Sequence, residues 1–285
     1  MGKKNKGIKW EIEKRLEFIE FRLFWEGRIN RHDLRAVFNI SNPQASADFA
    51  KYQELAPGNM LYDKRKKLYY ASPAFKPAFV KPSSDQYLLS YMSVLNKTIP
   101  QEKSFIGFMP PVGNIPTPGR KIDPYIFRTV IIAINNKQAL EIEYQSMSES
   151  GRTKRWISPH ALGSDNFRWH CRAFCHLDNK FKDFVLGRIL AISNEKNSDA
   201  KSEEDSDWNT FIHVKIGPSS KLNERKRKII EHEYGMVNGE ISIDVRRSML
   251  LYFINFLGLQ EEISNGFKKQ YITLLNCDEV RKAIP

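Results

Sequence analysis

The chain has 285 residues, 41% of them hydrophobic and 12% aromatic, and it carries a formal charge of +12. That length suits two or three compact domains, and that composition excludes wholesale disorder. So positive a balance points toward an anionic partner, because clustered Lys and Arg displace counterions from nucleic acid.

Three cysteines, Cys171, Cys175 and Cys277, are too few and too sparse for a secreted disulfide framework. Residues Met1 to Lys9 are basic, with no apolar run of signal-peptide type behind them. No stretch approaches the roughly 18 apolar residues that span a bilayer. The expectation is a soluble cytoplasmic protein without membrane contact.

In chain order, Trp10 to Glu26 is predicted as an amphipathic helix, with Ile12, Leu16, Ile19 and Leu23 on one face and Gly27 as its stop. A second helix starts from an Asn30 cap, places Asp33 in its first turn and turns Leu34, Val37 and Phe38 inward. After the short turn Asn39-Ile40, Ser41 and Gln44 have capping-box spacing and Pro43 suits a first helical turn. The third helix runs to about Leu55. Phe49 and Tyr52 anchor it, which leaves Gln44, Ser46, Ala47 and Lys51 on a small polar face. Pro57 and Gly58 end it, and Met60–Tyr62 and Leu68–Tyr70 then form a hairpin around the basic turn Asp63 to Lys67. This is the order of a winged helix-turn-helix. Residues 1–70 hold 15 Lys and Arg against nine Asp and Glu, so about half of the net charge lies in a quarter of the chain.

Beyond the wing, Ser72 to Pro82 has the proline punctuation of a linker, a short helix covers Asp85 to Leu95, and Met109 to Arg120 is a loop rich in Pro and Gly. A helix over Pro124 to Asn135 precedes a change of period to two. Strands are predicted at Ala139–Ser146, Lys154–Ser158, Phe167–Cys175 and Phe181–Ile192. Asn194 to Asp207 is polar and acidic, a solvated connector by composition. The tail alternates a strand Trp208–Ile216, a helix Asn223–Glu233, a strand Ile241–Val245 and an apolar helix Arg247–Leu257. The expected fold class is α+β. Its parts are a winged helix over 1–80, a helical linker over 81–120, a ligand-sensing domain over 121–193, a flexible connector over 194–207 and a dimerisation domain over 208–285.

Two constellations carry chemistry. DNA readers set a helix N-terminus into the major groove, where short polar side chains reach base edges. Ser41, Asn42, Gln44, Ala45, Ser46 and Lys51 are the candidates on the third helix. Gln44 suits bidentate pairing with adenine, and the methyl of Ala45 or Ala47 suits thymine. Lys64, Arg65, Lys66 and Lys67 at the hairpin tip suit phosphates, where a flexible charge serves better than base reading. The same residues also fit a plainly capped surface helix and a solvated turn.

The second constellation is the strand Phe167 to Phe174. Alternation puts Phe167, Trp169, Cys171 and Ala173 on one face and Arg168, His170 and Arg172 on the other. Three cationic or titratable groups side by side call for something anionic opposite. A phosphate-bearing ligand meets that need through the planar Arg fork; the other reading is a face that simply meets water or a nearby acid such as Asp183. Zinc is disfavoured, because alternation sends Cys171 and Cys175 to one face and His170 and His176 to the other. No Gly-rich phosphate loop, carboxylate pair or nucleophile motif stands out, so neither an enzyme nor a cofactor is expected.

Ser158-Pro159-His160-Ala161-Leu162, then Arg168 to Phe174, then Phe184 and Gly187-Arg188-Ile189, resemble the WYL domain, a small Sm-like β-barrel of bacterial regulators. Its signature tripeptide is altered: Trp169 is kept, and His170 and Cys171 stand for Tyr and Leu. Gln44 to Asp48, Tyr52 to Asn59 and Glu233-Tyr234-Gly235-Met236 resemble one branch, the BrxR and CapW type of regulator of anti-phage operons associated with BREX and CBASS defence. The likeness covers nearly the whole chain. It implies a homodimer that binds an inverted repeat in double-stranded DNA and represses a neighbouring operon in the bacterial nucleoid. It also implies a WYL pocket for a nucleotide or nucleic-acid effector, with Tyr144, His160, Trp169, His170, Arg172 and Arg188 as the carried-over residues. Half-sites would lie about one helical turn apart, or a multiple of that. A ligand-dependent activator, or an RNA-binding module that uses the barrel, are the rival functions, and a preference for unpaired RNA would mark the latter.

Overall fold

The start and stop signals of the first helices are realised residue by residue in the computed structural model, which describes residues 10–115, 118–147, 151–259 and 271–285. The basic Met1 to Lys9 segment, Pro116 and Thr117 of the Pro- and Gly-rich loop, and residues 260–270 of the tail lie outside the described residues. The chain divides into two units, Met1–Pro116 and Thr117–Pro285.

In the first unit, helix α1 (Trp10–Glu26) ends where Gly27 takes φ +72°, a left-handed conformation that favours glycine. Strand β1 (Arg28–Ile29) follows, and α2 (Arg31–Phe38) opens on a full capping box between Asn30 and Asp33. Asn39 closes α2 in the left-handed region and leads within three residues into α3 (Asn42–Leu55). Strands β2 (Met60–Asp63) and β3 (Leu68–Ala71) form the hairpin, and β1 adds to it in the order β1-β3-β2, all antiparallel. Leu16, Phe18, Ile19, Leu23, Leu34, Phe49 and Tyr52 fill the core, and the Phe49 ring stacks on Tyr69 with centroids 4.2 Å apart. This is a winged helix-turn-helix.

The Pro-punctuated stretch after the wing is tied down. Glu20, fully buried on α1, accepts hydrogen bonds from the backbone N–H groups of Ala78, Phe79 and Val80 and from the Tyr52 hydroxyl. Helix α4 (Ser84–Leu95) follows, and beyond it Ile106 is buried while Phe105 meets Phe18 edge-on at 5.1 Å. Much of what reads as linker by composition therefore covers α1.

In the second unit, Asp123 caps α5 (Pro124–Asn136). Then come β4 (Gln138–Gln145), β5 (Arg152–Ser164), β6 (Trp169–Cys175), β7 (Lys180–Val185) and β8 (Ile189–Asn197), antiparallel in the order β7-β6-β5-β4-β8. No pairing joins β7 to β8 among the described residues, so the expected Sm-like barrel is an open, bulged sheet. Leu140, Ile142, Ile157, Cys171, Ala173 and Phe184 pack one face of it against Val130 and Ala133 of α5.

The single strand expected over Phe181–Ile192 is two, broken by a 3₁₀ turn at Leu186–Arg188. A Cβ on Gly187 would sit 2.8 Å from the carbonyl oxygen of Lys121, so only glycine lets the two backbones pass this closely. The expected connector is also more ordered than its composition suggests. Residues 194–197 finish β8, and Asp205 is buried as the cap of α6 (Ser206–Asn209), which takes Trp208 out of the expected strand. The remaining elements are β9 (Phe211–Pro218), α7 (Glu224–Glu233), β10 (Ile241–Arg246), α8 (Leu250–Leu257), β11 (Ile272–Leu274) and α9 (Cys277–Ala283). Their sheet runs β10-β9-β11 around a core of Val214, Ile216, Val245, Leu250 and Ile254. Among the described residues no helix is long and apolar enough to cross a membrane.

Candidate functional site

Two surfaces matter, one in each unit. On α3, the Ser41 side chain caps the helix by accepting from the Gln44 backbone N–H at 3.3 Å. Ser41, Asn42, Pro43 and Ala47 are exposed, and Gln44 and Ser46 are half-buried, with the Ser46 hydroxyl donating to the Asn42 carbonyl. Ala45 is different. It is fully buried in the core, so the expected methyl contact with thymine is open to Ala47 alone. Lys51 pairs with Glu54 at 3.0 Å, an exposed ion pair of the kind that contributes little and yields readily to a phosphate.

The capping box expected between Ser41 and Gln44 is only half formed. The Gln44 amide does not return to Ser41; its Nε2 donates to Asp48 Oδ1 at 3.0 Å. Asp48 in turn pairs with Arg15 of α1, whose Nε and Nη2 reach the two carboxylate oxygens at 2.6 and 3.2 Å. At the tip of the hairpin, Lys64, Arg65, Lys66 and Lys67 are all exposed. Asp63 folds that turn by accepting from the backbone N–H groups of Arg65 and Lys66.

The second unit divides the six carried-over ligand residues. Tyr144 belongs to the core, its hydroxyl accepting from the Val185 N–H at 3.2 Å. His160, His170 and Arg172 face an internal set of acids. Arg172 grips Asp205 with two hydrogen bonds of 2.7 and 2.9 Å and lies 3.4 Å from Asp183 and 3.6 Å from Asp207. His160 Nε2 is 2.9 Å from the same Asp205. His170 Nε2 is 3.3 Å from Asp165, its ring lies 5.0 Å from that of Tyr252 on α8, and its Nδ1 is buried with no hydrogen-bond partner among the described residues. Of the two readings of this strand face, an acid opposite is the one that this geometry satisfies.

The electrostatics follow from the contacts. Burial opposes the charge on Arg172, but the carboxylates of Asp205 and Asp183 outweigh it and push its pKa above the usual value. Burial likewise works against the Asp205 carboxylate, and Arg172, the Trp208 N–H and His160 together still hold it below the ordinary range. At Asp183 burial wins and the pKa rises, because Arg172 aims its fork at Asp205. Burial lowers the His160 pKa against the pull of Asp205. Burial, with Asp183 and Asp165 nearby, pushes the Tyr252 hydroxyl up to about 12.

Trp169 and Arg188 lie elsewhere. They line a cleft of about 490 Å³ together with Phe167, Arg168, Arg120 and Lys121. Trp169 is 52% exposed and Phe167 61%, so two aromatic faces stand open beside four cations. The loop that carries Phe167 and Arg168 is shaped by Asp165, which accepts from both of their backbone N–H groups. Arg120 and Lys121 are lining residues that sequence reasoning missed. Their signal is a basic pair one residue short of the Asp123 cap, with Ile122 between. Among the described residues no group of three or more His, Cys, Asp and Glu could hold a metal ion.

The arrangement has relatives. A family model described as the BrxR transcriptional regulator winged helix-turn-helix domain matches residues 11–93, the WYL domain matches 125–193, and the BrxR transcriptional regulator C-terminal dimerization domain matches 211–280. The DNA-binding transcriptional repressor CapW of Stenotrophomonas maltophilia is 37% identical over 280 residues, covering 96% of this chain and 93% of its own. CapW proteins of Escherichia coli strain KTE188 and of Pseudomonas aeruginosa are each 36% identical, covering 98% and 99% of this chain and 93% and 95% of their own. Among solved structures, proteasome accessory factor B/C of Arthrobacter aurescens aligns with 96% of this chain and 48% of its own at a TM-score of 0.24 and 14% identity, too distant a likeness to argue from. With its BrxR-type winged helix, WYL domain and BrxR-type C-terminal domain in that order, the chain belongs to the family of the CapW repressors.

Proposed function

We propose that this protein is a homodimeric, sequence-specific DNA-binding repressor, most simply of a phage-defence operon, and that a nucleotide or nucleic-acid ligand in the WYL domain relieves the repression. The observation that carries the DNA reading is the winged helix itself, which presents the exposed start of α3 and four exposed cations at the hairpin tip. Ser41, Asn42, Gln44 and Ser46 would face base edges, and Lys64, Arg65, Lys66 and Lys67 phosphates. The C-terminal dimerisation domain supports two-fold assembly, and two-fold assembly asks for a two-fold site. Sequencing DNA fragments selected by the full-length protein should return an inverted repeat. A set of fragments without symmetry, or a preference for unpaired RNA, would overturn this reading. The defence-operon assignment rests on the family resemblance, and the genomic position of the selected site tests it.

For the effector, the cleft beside Trp169 replaces the Arg172 face as the proposed site. Open aromatic faces stack bases, and Arg120, Lys121, Arg168 and Arg188 supply charge for phosphate. Release of DNA follows only if ligand prefers the DNA-free conformation. Calorimetric titration with short single-stranded DNA, short RNA and cyclic nucleotides is the direct check. Arg188→Ala should weaken whichever of these binds by about 10- to 150-fold, the range for losing a hydrogen bond to a charged group. Equal binding by wild type and variant would remove Arg188 from the site.

A further inference from the structure

Gln44 has a side chain whose two ends differ, a carbonyl oxygen that accepts and an amide nitrogen that donates. Which end faces outward decides which base it can read. We propose that Asp48 is a positioning residue for DNA recognition, turning Gln44 so that its carbonyl oxygen and one N–H face outward and select adenine over guanine. This rests on the reading of α3 as the recognition helix.

The chain of contacts begins on α1. Arg15 and Asp48 have side chains only 9% and 3% exposed, and the guanidinium donates to both carboxylate oxygens. Asp48 therefore has only lone pairs left to offer. An acceptor of that kind cannot face the Gln44 carbonyl oxygen, so it takes the amide nitrogen, in keeping with the 3.0 Å contact from Nε2 to Oδ1. One amide hydrogen is used, and Oε1 and the second N–H remain. In the major groove adenine offers the complement, an N6–H donor beside the N7 acceptor. Guanine offers two acceptors, N7 and O6, and its O6 would oppose Oε1. A free glutamine could flip to suit either purine. This one is anchored two residues deep, through Asp48 to Arg15. The bland alternative is an i, i+4 hydrogen bond that steadies the helix and nothing more.

The test compares binding of the full-length wild type, Gln44→Ala and Asp48→Asn to a selected site and its single-base variants. In the wild type, one position per half-site should prefer adenine over guanine by about 5- to 150-fold. Gln44→Ala should erase that preference there and nowhere else. In Asp48→Asn, the new carboxamide keeps an oxygen for Arg15 and offers its amide hydrogens to Gln44. That should turn the glutamine and swing the same position toward guanine by about tenfold or more in ratio. An unchanged adenine preference in Asp48→Asn would overturn the proposal, and so would guanine at the Gln44-sensitive position of the wild type. If Gln44→Ala alters no position, the recognition reading of Gln44 has itself failed, and the proposal falls with it for that different reason. Should Asp48→Asn not fold, the wild type still decides. Replacing the selected adenine with unsubstituted purine, which lacks the N6 donor, should weaken binding about tenfold, and an unchanged affinity would refute the orientation.

Discussion

Replacing Arg172 with alanine is expected to destabilise residues 118–285 by about 3–5 kcal/mol, the range for breaking a buried ion pair from one side. Asp205 would lose two hydrogen bonds and its nearest cation, and Asp183 the guanidinium beside it. Asp205 would stay buried, and Asp183 largely so, its side chain being 12% exposed. The pH dependence distinguishes this account from a simple loss of packing. In the wild type, the depressed pKa of Asp205 contributes stability that is present above the unfolded carboxylate value and is lost as pH falls through its folded value. The raised pKa of Asp183 acts with the opposite sign, its contribution fading as pH rises through the folded value. Without Arg172 both groups behave as Asp183 does. The difference between wild type and variant should then be full at about pH 7.5 and shrink as pH approaches about 4.5, because protonation neutralises the stranded charges. Urea unfolding at the two pH values measures it. A difference that stays constant would mean that the side chain's packing, not its charge, is what the fold requires. Adding Asp205→Asn to the variant should recover part of the loss, since asparagine still caps α6 and carries no charge.

That network also marks where sequence stops being informative. The first three helices are legible because their signals are local: apolar spacing from Ile12 to Leu23, the Asn30–Asp33 box, the Ser41 cap and the left-handed Gly27. The wing is legible for the same reason. Arg172 is ambiguous in sequence because its partners are remote. Alternation along β6 fixes which residues share a face, but Asp205, 33 positions beyond Arg172, and Tyr252 on α8 decide that this face is covered. Composition misleads at the connector, since the acids that matter, Asp205 and Asp207, look like their neighbours until Asp205 meets Arg172 and His160 and Asp207 meets Arg172 and Arg247. The break between β7 and β8 is hidden in a run of apolar residues, and only Gly187 betrays it. Helix α9 does have a readable signal, with Asp278 and Glu279 in its first turn and Arg281 and Lys282 in its last. The cleft beside Trp169 is half legible. Trp169 and Arg188 come through the resemblance, whereas Arg120 and Lys121 arrive from before α5, and β-strand patterning says nothing about them.

The other large effect is expected at the wing. Lys64→Ala, Lys66→Ala and Lys67→Ala combined should lower the slope of log affinity against log salt by about 2.7, at about 0.9 per lost phosphate contact on duplex DNA. With the affinity extrapolated to molar salt unchanged, that slope alone predicts a loss on the order of a hundredfold at physiological salt. The loss should be uniform across operator and unrelated duplexes, because phosphates carry no sequence. The structure gives a reason to expect little collateral damage. All three side chains are exposed, and the turn is built by Asp63 accepting from the backbone of Arg65 and Lys66, which the substitutions leave in place. Lys67 sits at φ +54°, a conformation that alanine tolerates about as poorly as lysine, so the turn should not shift on that account. Titrations of operator and unrelated duplex at several salt concentrations would separate the outcomes. If the slope holds steady while affinity falls for the operator alone, the tip of the wing reads bases and the phosphate contacts lie elsewhere.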